Sequence, residues 1–137
     1  MLLLPIGSMV YPAIEASEIL ERDGISSAVV NPRFVKPLDK ELLLPLIARI
    51  GKVITVEEHT LACGFGSAIA EMLTESGVSA NIRHIGIPDQ FVEHGDRKIL
   101  LNRYGLTSQG IVNTVMEMLE NDEKVLSEKQ MAGSIIS

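Results

Sequence analysis

Apolar and polar positions alternate along the chain in a regular rhythm of short runs and helical periods. Leu2 to Ile6 is a continuous apolar run and reads as a buried strand. Pro12 to Asp23 reads as a helix, with Ala13, Ala16 and Leu20 at helical spacing and Gly24 just past its end. Pro12 suits a first helical turn, where its missing N–H costs nothing. Ala28-Val29-Val30 gives a second strand within Ser27 to Asn31. Asp39 is placed to cap a helix through Ile50 that carries Leu42, Leu43, Leu46 and Ile47, and Pro45 predicts a kink or break within it. Val53 to Val56 is a third strand that ends at Glu57-Glu58-His59. Gly66 to Ser76 predicts a helix stopped by Gly77, Ile82 to Ile87 a fourth strand, and Lys98 to Tyr104 a short helix closed by Gly105. Thr107 caps a last helix through about Asn121, and residues 122–137 read as a polar, loose tail.

Strand and helix in this alternation mean βαβ crossovers and a parallel sheet with helices on both faces. Strands buried on both faces should be continuously apolar, and three of the four are. The expected division is a domain over residues 1–121 and a tail over 122–137. The length of 137 residues suits a single domain. The apolar fraction of 46% is enough for a packed core and argues against disorder. The net charge of −6 lowers the expectation of nucleic acid or an anionic membrane as partner. Cys63 is the single cysteine, so no internal disulfide or cysteine zinc cluster forms, and a reduced cytoplasm is the expected location. The apolar start is too short for a signal peptide or a membrane span. Because the chain begins directly inside a strand, it reads as a piece of something longer.

In an open parallel sheet, ligands and partners meet the loops at the carboxyl ends of the strands. Those loops are Gly7 to Val10, Asn31 to Asp39, Glu57 to Gly66, and Gly86 to Gly95. Cys63-Gly64-Phe65-Gly66-Ser67 opens a helix after a strand and could cradle a phosphate, but it carries only half of a dinucleotide fingerprint and no Walker loop. A tight turn is the plainer reading. Glu57 and Glu58 point to opposite faces of their strand, so they do not form an acid–base pair. The expected role for one of them is a bond to backbone or to an arginine across an interface. His84 reads as a core or edge histidine, and Cys63 as inert despite His59 four residues earlier. Three scattered histidines leave no metal-ligand pair. Arg33 and Lys36 flank Phe34, a set too small for nucleic acid and better suited to a salt-bridged interface. No complete catalytic constellation is present in the sequence.

The same loops carry a family resemblance. Asn31-Pro32-Arg33-Phe34-Val35-Lys36-Pro37-Leu38-Asp39 resembles the N-x-R-F-V-K-P-L-D segment of 1-deoxy-D-xylulose-5-phosphate synthases. Glu57-Glu58, Gly64-Phe65-Gly66-Ser67-Ala68 and Glu71 resemble that family's next block. Gly86 to Gly95 resembles its G-x-P-D-x-F-[VI]-E-H-G block, and Tyr104-Gly105-Leu106 to Ile111 its following Y-G-L-x-x-x-G-I. The likeness covers about residues 2–120. Pro32 stands where the family often has alanine, and Cys63 where it often has glycine.

The resemblance implies a three-layer α/β/α domain, the third and last of the family's three. It implies a parent enzyme that joins pyruvate and D-glyceraldehyde 3-phosphate with release of carbon dioxide, using thiamine diphosphate and magnesium. The cofactor motifs belong to the first two domains, so no catalytic, cofactor or metal residue is carried over. Arg33, Phe34, Lys36, Glu58, His59, Glu93 and His94 are the candidate contacts to the rest of the polypeptide or to a second subunit of a homodimer. The family's sheet has five strands, of which the first is antiparallel; the expectation here is four parallel strands in spatial order 2-1-3-4, with strand 2 at an open edge. That edge predicts self-association, cover by the tail, or a swapped neighbour. A related domain of a transketolase or dehydrogenase β subunit, and a free-standing phosphate- or nucleotide-binding module, are the competing readings.

Overall fold

The computed structural model describes residues 1–133. Four strands form one sheet: β1 (Leu2–Pro5), β2 (Ala28–Val29), β3 (Lys52–Thr60) and β4 (Asn81–Ile87). Their spatial order is β2-β1-β3-β4, and every pairing is parallel. Five α-helices connect and cover them: α1 (Val10–Arg22), α2 (Lys40–Ile50), α3 (Phe65–Ser76), α4 (Arg97–Arg103) and α5 (Ser108–Gly133).

Alternation along the central strands divides the core into two layers. Leu3, Ile54 and Val56 pack under α1 and α5 with Ala13, Ala16, Leu20, Ile111, Val115 and Met118. Leu2, Leu4 and Val53 pack under α2 and α3 with Leu43, Ile47, Phe65, Ile69 and Met72. Each face of the sheet therefore buries its own helix pair, which is why β1 is apolar at every position.

The local signals place the helix ends. Asp39 Oδ1 accepts the Leu42 N–H at 3.0 Å and starts α2. Gly51 and Gly77, at φ +72° and +65°, end α2 and α3 in the left-handed conformation that glycine adopts without strain. Asp96 Oδ1 accepts from the Lys98 and Ile99 N–H groups and starts α4.

Three elements depart from the sequence reading. Helix α2 runs unbroken across Pro45. Pro45 lies on the exposed side, where water reaches the carbonyl it leaves free, while Leu43 and Ile47 hold the buried side. Strand β3 continues past Val56 to Thr60, with an irregularity between those residues in its pairing with β4. Helix α5 does not stop near Asn121 but continues through 122–133, over most of the expected loose tail. Glu, Lys, Gln, Leu, Met and Ala make up most of that stretch and favour helix without needing an apolar face. Asp122 is the turning point, bonded to Lys52 at 2.6 Å and to Asn81 at 3.1 Å. Residues 134–137 lie outside the described part. Helix α5 packs against α1, away from the open edge of β2.

Candidate functional site

The sheet order makes β1 and β3 neighbours whose connections leave in opposite directions. A crevice forms outside the carboxyl ends of such a pair. Here it encloses about 380 Å³ and is lined by Ile6, Ser8, Val35, Glu58, His59 and Cys63, among others.

Glu57 forms its floor. Its side chain is 2% exposed. Oε2 accepts the Phe65 N–H at 2.6 Å, and Oε1 accepts the Gly66 N–H at 2.8 Å. The carboxylate thus satisfies two free amides at the start of α3 and sits at the positive end of its dipole. This is where an incoming phosphate would bind, and the protein's own anion already fills it. Gly64 is required by that closure, because a Cβ there would collide with the Glu57 carboxylate and the Thr60 carbonyl. Gly66 is required on the next turn, where a Cβ would lie 2.5 Å from His84 Nδ1 and 2.9 Å from Thr55 Oγ1. Thr55 Oγ1 and His84 Nδ1 share a hydrogen bond of 2.7 Å across β3 and β4. Partial burial pushes the His84 imidazole below the ordinary histidine pKa, against the opposing pull of Glu57.

Glu58 points to the other face of the strand. Arg97 Nε donates to its Oε1 at 3.0 Å and Arg97 Nη2 to its Oε2 at 2.5 Å. Ser8 Oγ adds a bond to Oε2 at 2.5 Å. The Arg97 fork, followed by the Ser8 hydroxyl, holds the Glu58 carboxyl below its usual range, outweighing the small cost of burial. Of the outcomes expected for the carboxylate pair, the bond to backbone occurs at Glu57, while Glu58 binds an arginine that the expectation had placed across an interface. The arginine belongs to this chain and not to another domain.

The remaining candidates separate into three loops. Arg33, Phe34 and Lys36 lie exposed on the β2–α2 loop, with Arg33 at φ +60° and its N–H donated to Asn31 Oδ1 at 3.0 Å. His59 is exposed at the crevice rim, its Nδ1 3.0 Å from the Thr60 carbonyl and 4.0 Å from Glu57 Oε2. Glu93 and His94 lie on the exposed β4–α4 loop, where Glu93 pairs with Arg103. The geometry does not join these seven residues into one catalytic cluster. Instead, the β2–α2 and β4–α4 loops each carry a large exposed apolar side chain near charged ones: Phe34 is 62% exposed and Phe91 fully so. Cys63 is also exposed, at φ +59°.

Ser8 and Arg97 were not singled out from sequence. Arg97 did leave a signal, since a cation in the first turn of a helix opposes the dipole and implies a partner elsewhere.

Comparison with known proteins places these loops in a family. The family model for the transketolase C-terminal domain matches residues 1–111. The chain belongs to this family. It is 49% identical over 120 residues to the 1-deoxy-D-xylulose-5-phosphate synthase of Heliobacterium modesticaldum, covering 88% of this chain and 18% of that one. It is 46% identical over 132 residues to the synthase of Desulfotalea psychrophila, covering 93% of this chain and 20% of that one. The present transketolase C-terminal domain therefore spans about a fifth of the length of these relatives. Among solved structures, a split-gene transketolase described as an inactive β4 tetramer superposes with a TM-score of 0.78 at 38% identity, over 87% of this chain and 39% of that one. A transketolase from Campylobacter jejuni, at 23% identity and a TM-score of 0.58 over 85% of this chain and 16% of that one, shares the fold. No described helix of the domain is long and apolar enough to cross a membrane.

Proposed function

We propose that this transketolase C-terminal domain serves a 1-deoxy-D-xylulose-5-phosphate synthase of the cytoplasm, as an assembly module. The observation that carries this reading is the 49% identity over 88% of the chain to such a synthase. The parent reaction would condense pyruvate with D-glyceraldehyde 3-phosphate and release carbon dioxide, with thiamine diphosphate and magnesium held by other domains. The residues here do not fit that cofactor. Glu57 occupies the glycine-rich helix start that a diphosphate would need, and no cluster of three metal-binding side chains occurs among the described residues. The same carboxylate argues against a free-standing phosphate-binding module.

The domain's contribution is then contact with the rest of its polypeptide and with a second subunit. Phe34 and Phe91, flanked by Arg33, Lys36, Glu93 and His94, offer such contacts at one end of the sheet. The tetrameric state of the split-gene relative is in keeping with assembly through this kind of domain.

The test is a chimera. This chain replaces the matching part of the Heliobacterium modesticaldum synthase, and formation of 1-deoxy-D-xylulose 5-phosphate is measured. Retained condensation is expected, with no turnover by the isolated chain given both substrates, thiamine diphosphate and magnesium. A folded, dimeric chimera without activity would reject the assignment to the synthase. Turnover by the isolated chain would reject the assembly role.

A further inference from the structure

Residues 88–105 differ from the rest of the chain in how they are held. No residue from Pro88 to Gly105 is fully buried, although the segment includes all of α4. It is anchored in the core by Ile87 at the end of β4 and by the buried Leu106, and within it Leu101 and Tyr104 rest against the same core layer. Gly105, at φ +70°, turns the chain from the end of α4 to the second anchor.

Its polar fastenings are of two kinds. Gln90 Nε2 donates to Tyr104 Oη at 3.3 Å, and Glu93 pairs with Arg103, so the loop is tied to its own helix. Among the described residues, a single side-chain polar link joins the segment to the body of the domain. That link is the fork of Arg97 on Glu58, backed by Ser8. Between segment and body lies a cavity of about 170 Å³ with an apolar wall that includes Ile87, Val92, Leu100, Leu101 and Leu106.

We propose that residues 88–105 form a hinged strap that moves as a unit, and that the Glu58–Arg97 pair is its latch. The internal ties keep the strap folded while it moves. The latch is suited to release: an ion pair open to solvent holds weakly, and segments that move are drawn from the weakly held parts of a fold. Opening uncovers the apolar cavity and redirects Phe91 and His94. Ser8 and Glu58 hold the strap from the carboxyl ends of β1 and β3, so they act as positioning residues and not as catalytic ones.

Amide hydrogen exchange of the whole chain, read by mass spectrometry of its peptides, tests this. In Glu58→Gln and in Arg97→Gln, exchange across residues 88–105 is expected to rise about three- to tenfold, with peptides of β1 and of α5 before Asn121 unchanged. Raising the salt to about 1 M on the unaltered protein should loosen the same peptides alone. The exchanged pair Glu58→Arg with Arg97→Glu should restore part of the protection. Unchanged exchange over 88–105 in both single variants would overturn the proposal. So would loosening of β1 in step with the strap, since the pair would then be holding the whole domain. If either variant fails to fold, the salt series on the unaltered protein decides by the same criterion.

Discussion

A buried carboxylate is tolerated only when its oxygens are satisfied, and Glu57 shows how a strand and a helix share that task. Replacing it by alanine removes two charge-assisted bonds and leaves two buried amides open, so Glu57→Ala should cost about 2–4 kcal/mol in urea unfolding. Its neighbour Cys63 occupies a left-handed conformation that costs a side-chain-bearing residue about 1–2 kcal/mol. Part of that is offset by the greater freedom of glycine in the unfolded chain. Cys63→Gly should therefore stabilise the domain by about 0.5–1 kcal/mol, read as a higher urea midpoint. The resemblance had marked this position as one where related chains carry glycine, and the dihedral supplies the reason. His84 adds a pH dependence. Its folded pKa lies below the unfolded value, so the unfolded chain takes up a proton first as pH falls. Stability should decline as pH drops below about 6.5, and His84→Gln should flatten that decline in urea midpoints measured across the range. At this scale the sequence was informative about side-chain direction, because alternation put Glu57 and Glu58 on opposite faces. It implied that Arg97 has a partner but not which one, since Glu58 lies 39 positions away.

Between elements, the strongest signals were apolar runs and caps, and the weakest was the distinction between a solvated helix and a coil. The central strands β1 and β3 follow from short buried runs, and Asp39 caps α2 as its spacing required. A break does not occur at Pro45 although an amide donor is lost there, because the buried side of α2 retains Leu43 and Ile47. The helix therefore lacks one internal hydrogen bond that an alanine would restore. Pro45→Ala should stabilise the domain by about 1 kcal/mol or more, checked by thermal unfolding. The end of α5 was missed for a related reason. Periodicity reports burial, and from Glu123 to Glu128 the helix has none to report, with Val125 and Leu126 exposed.

For the whole molecule, topology was legible because crossover handedness and burial leave few arrangements of four parallel strands. Arg33, Phe34, Lys36, Glu93 and His94 are exposed, and exposure alone does not select a partner. If these loops mediate self-association, Phe34→Asp with Phe91→Asp should shift the sedimentation profile toward monomer at micromolar concentration without lowering the unfolding midpoint. A parallel sheet without hairpins also has an order of assembly. Leu2 pairs with Ala28 on one side and with Val53 on the other. During synthesis the central strand therefore emerges well before its second neighbour exists. Through that interval three consecutive leucines lack their partners on β3, and non-local pairing of this kind is slow. How fast the chain is translated relative to how fast it collapses thus decides whether β1 finds β3 or another nascent copy of itself.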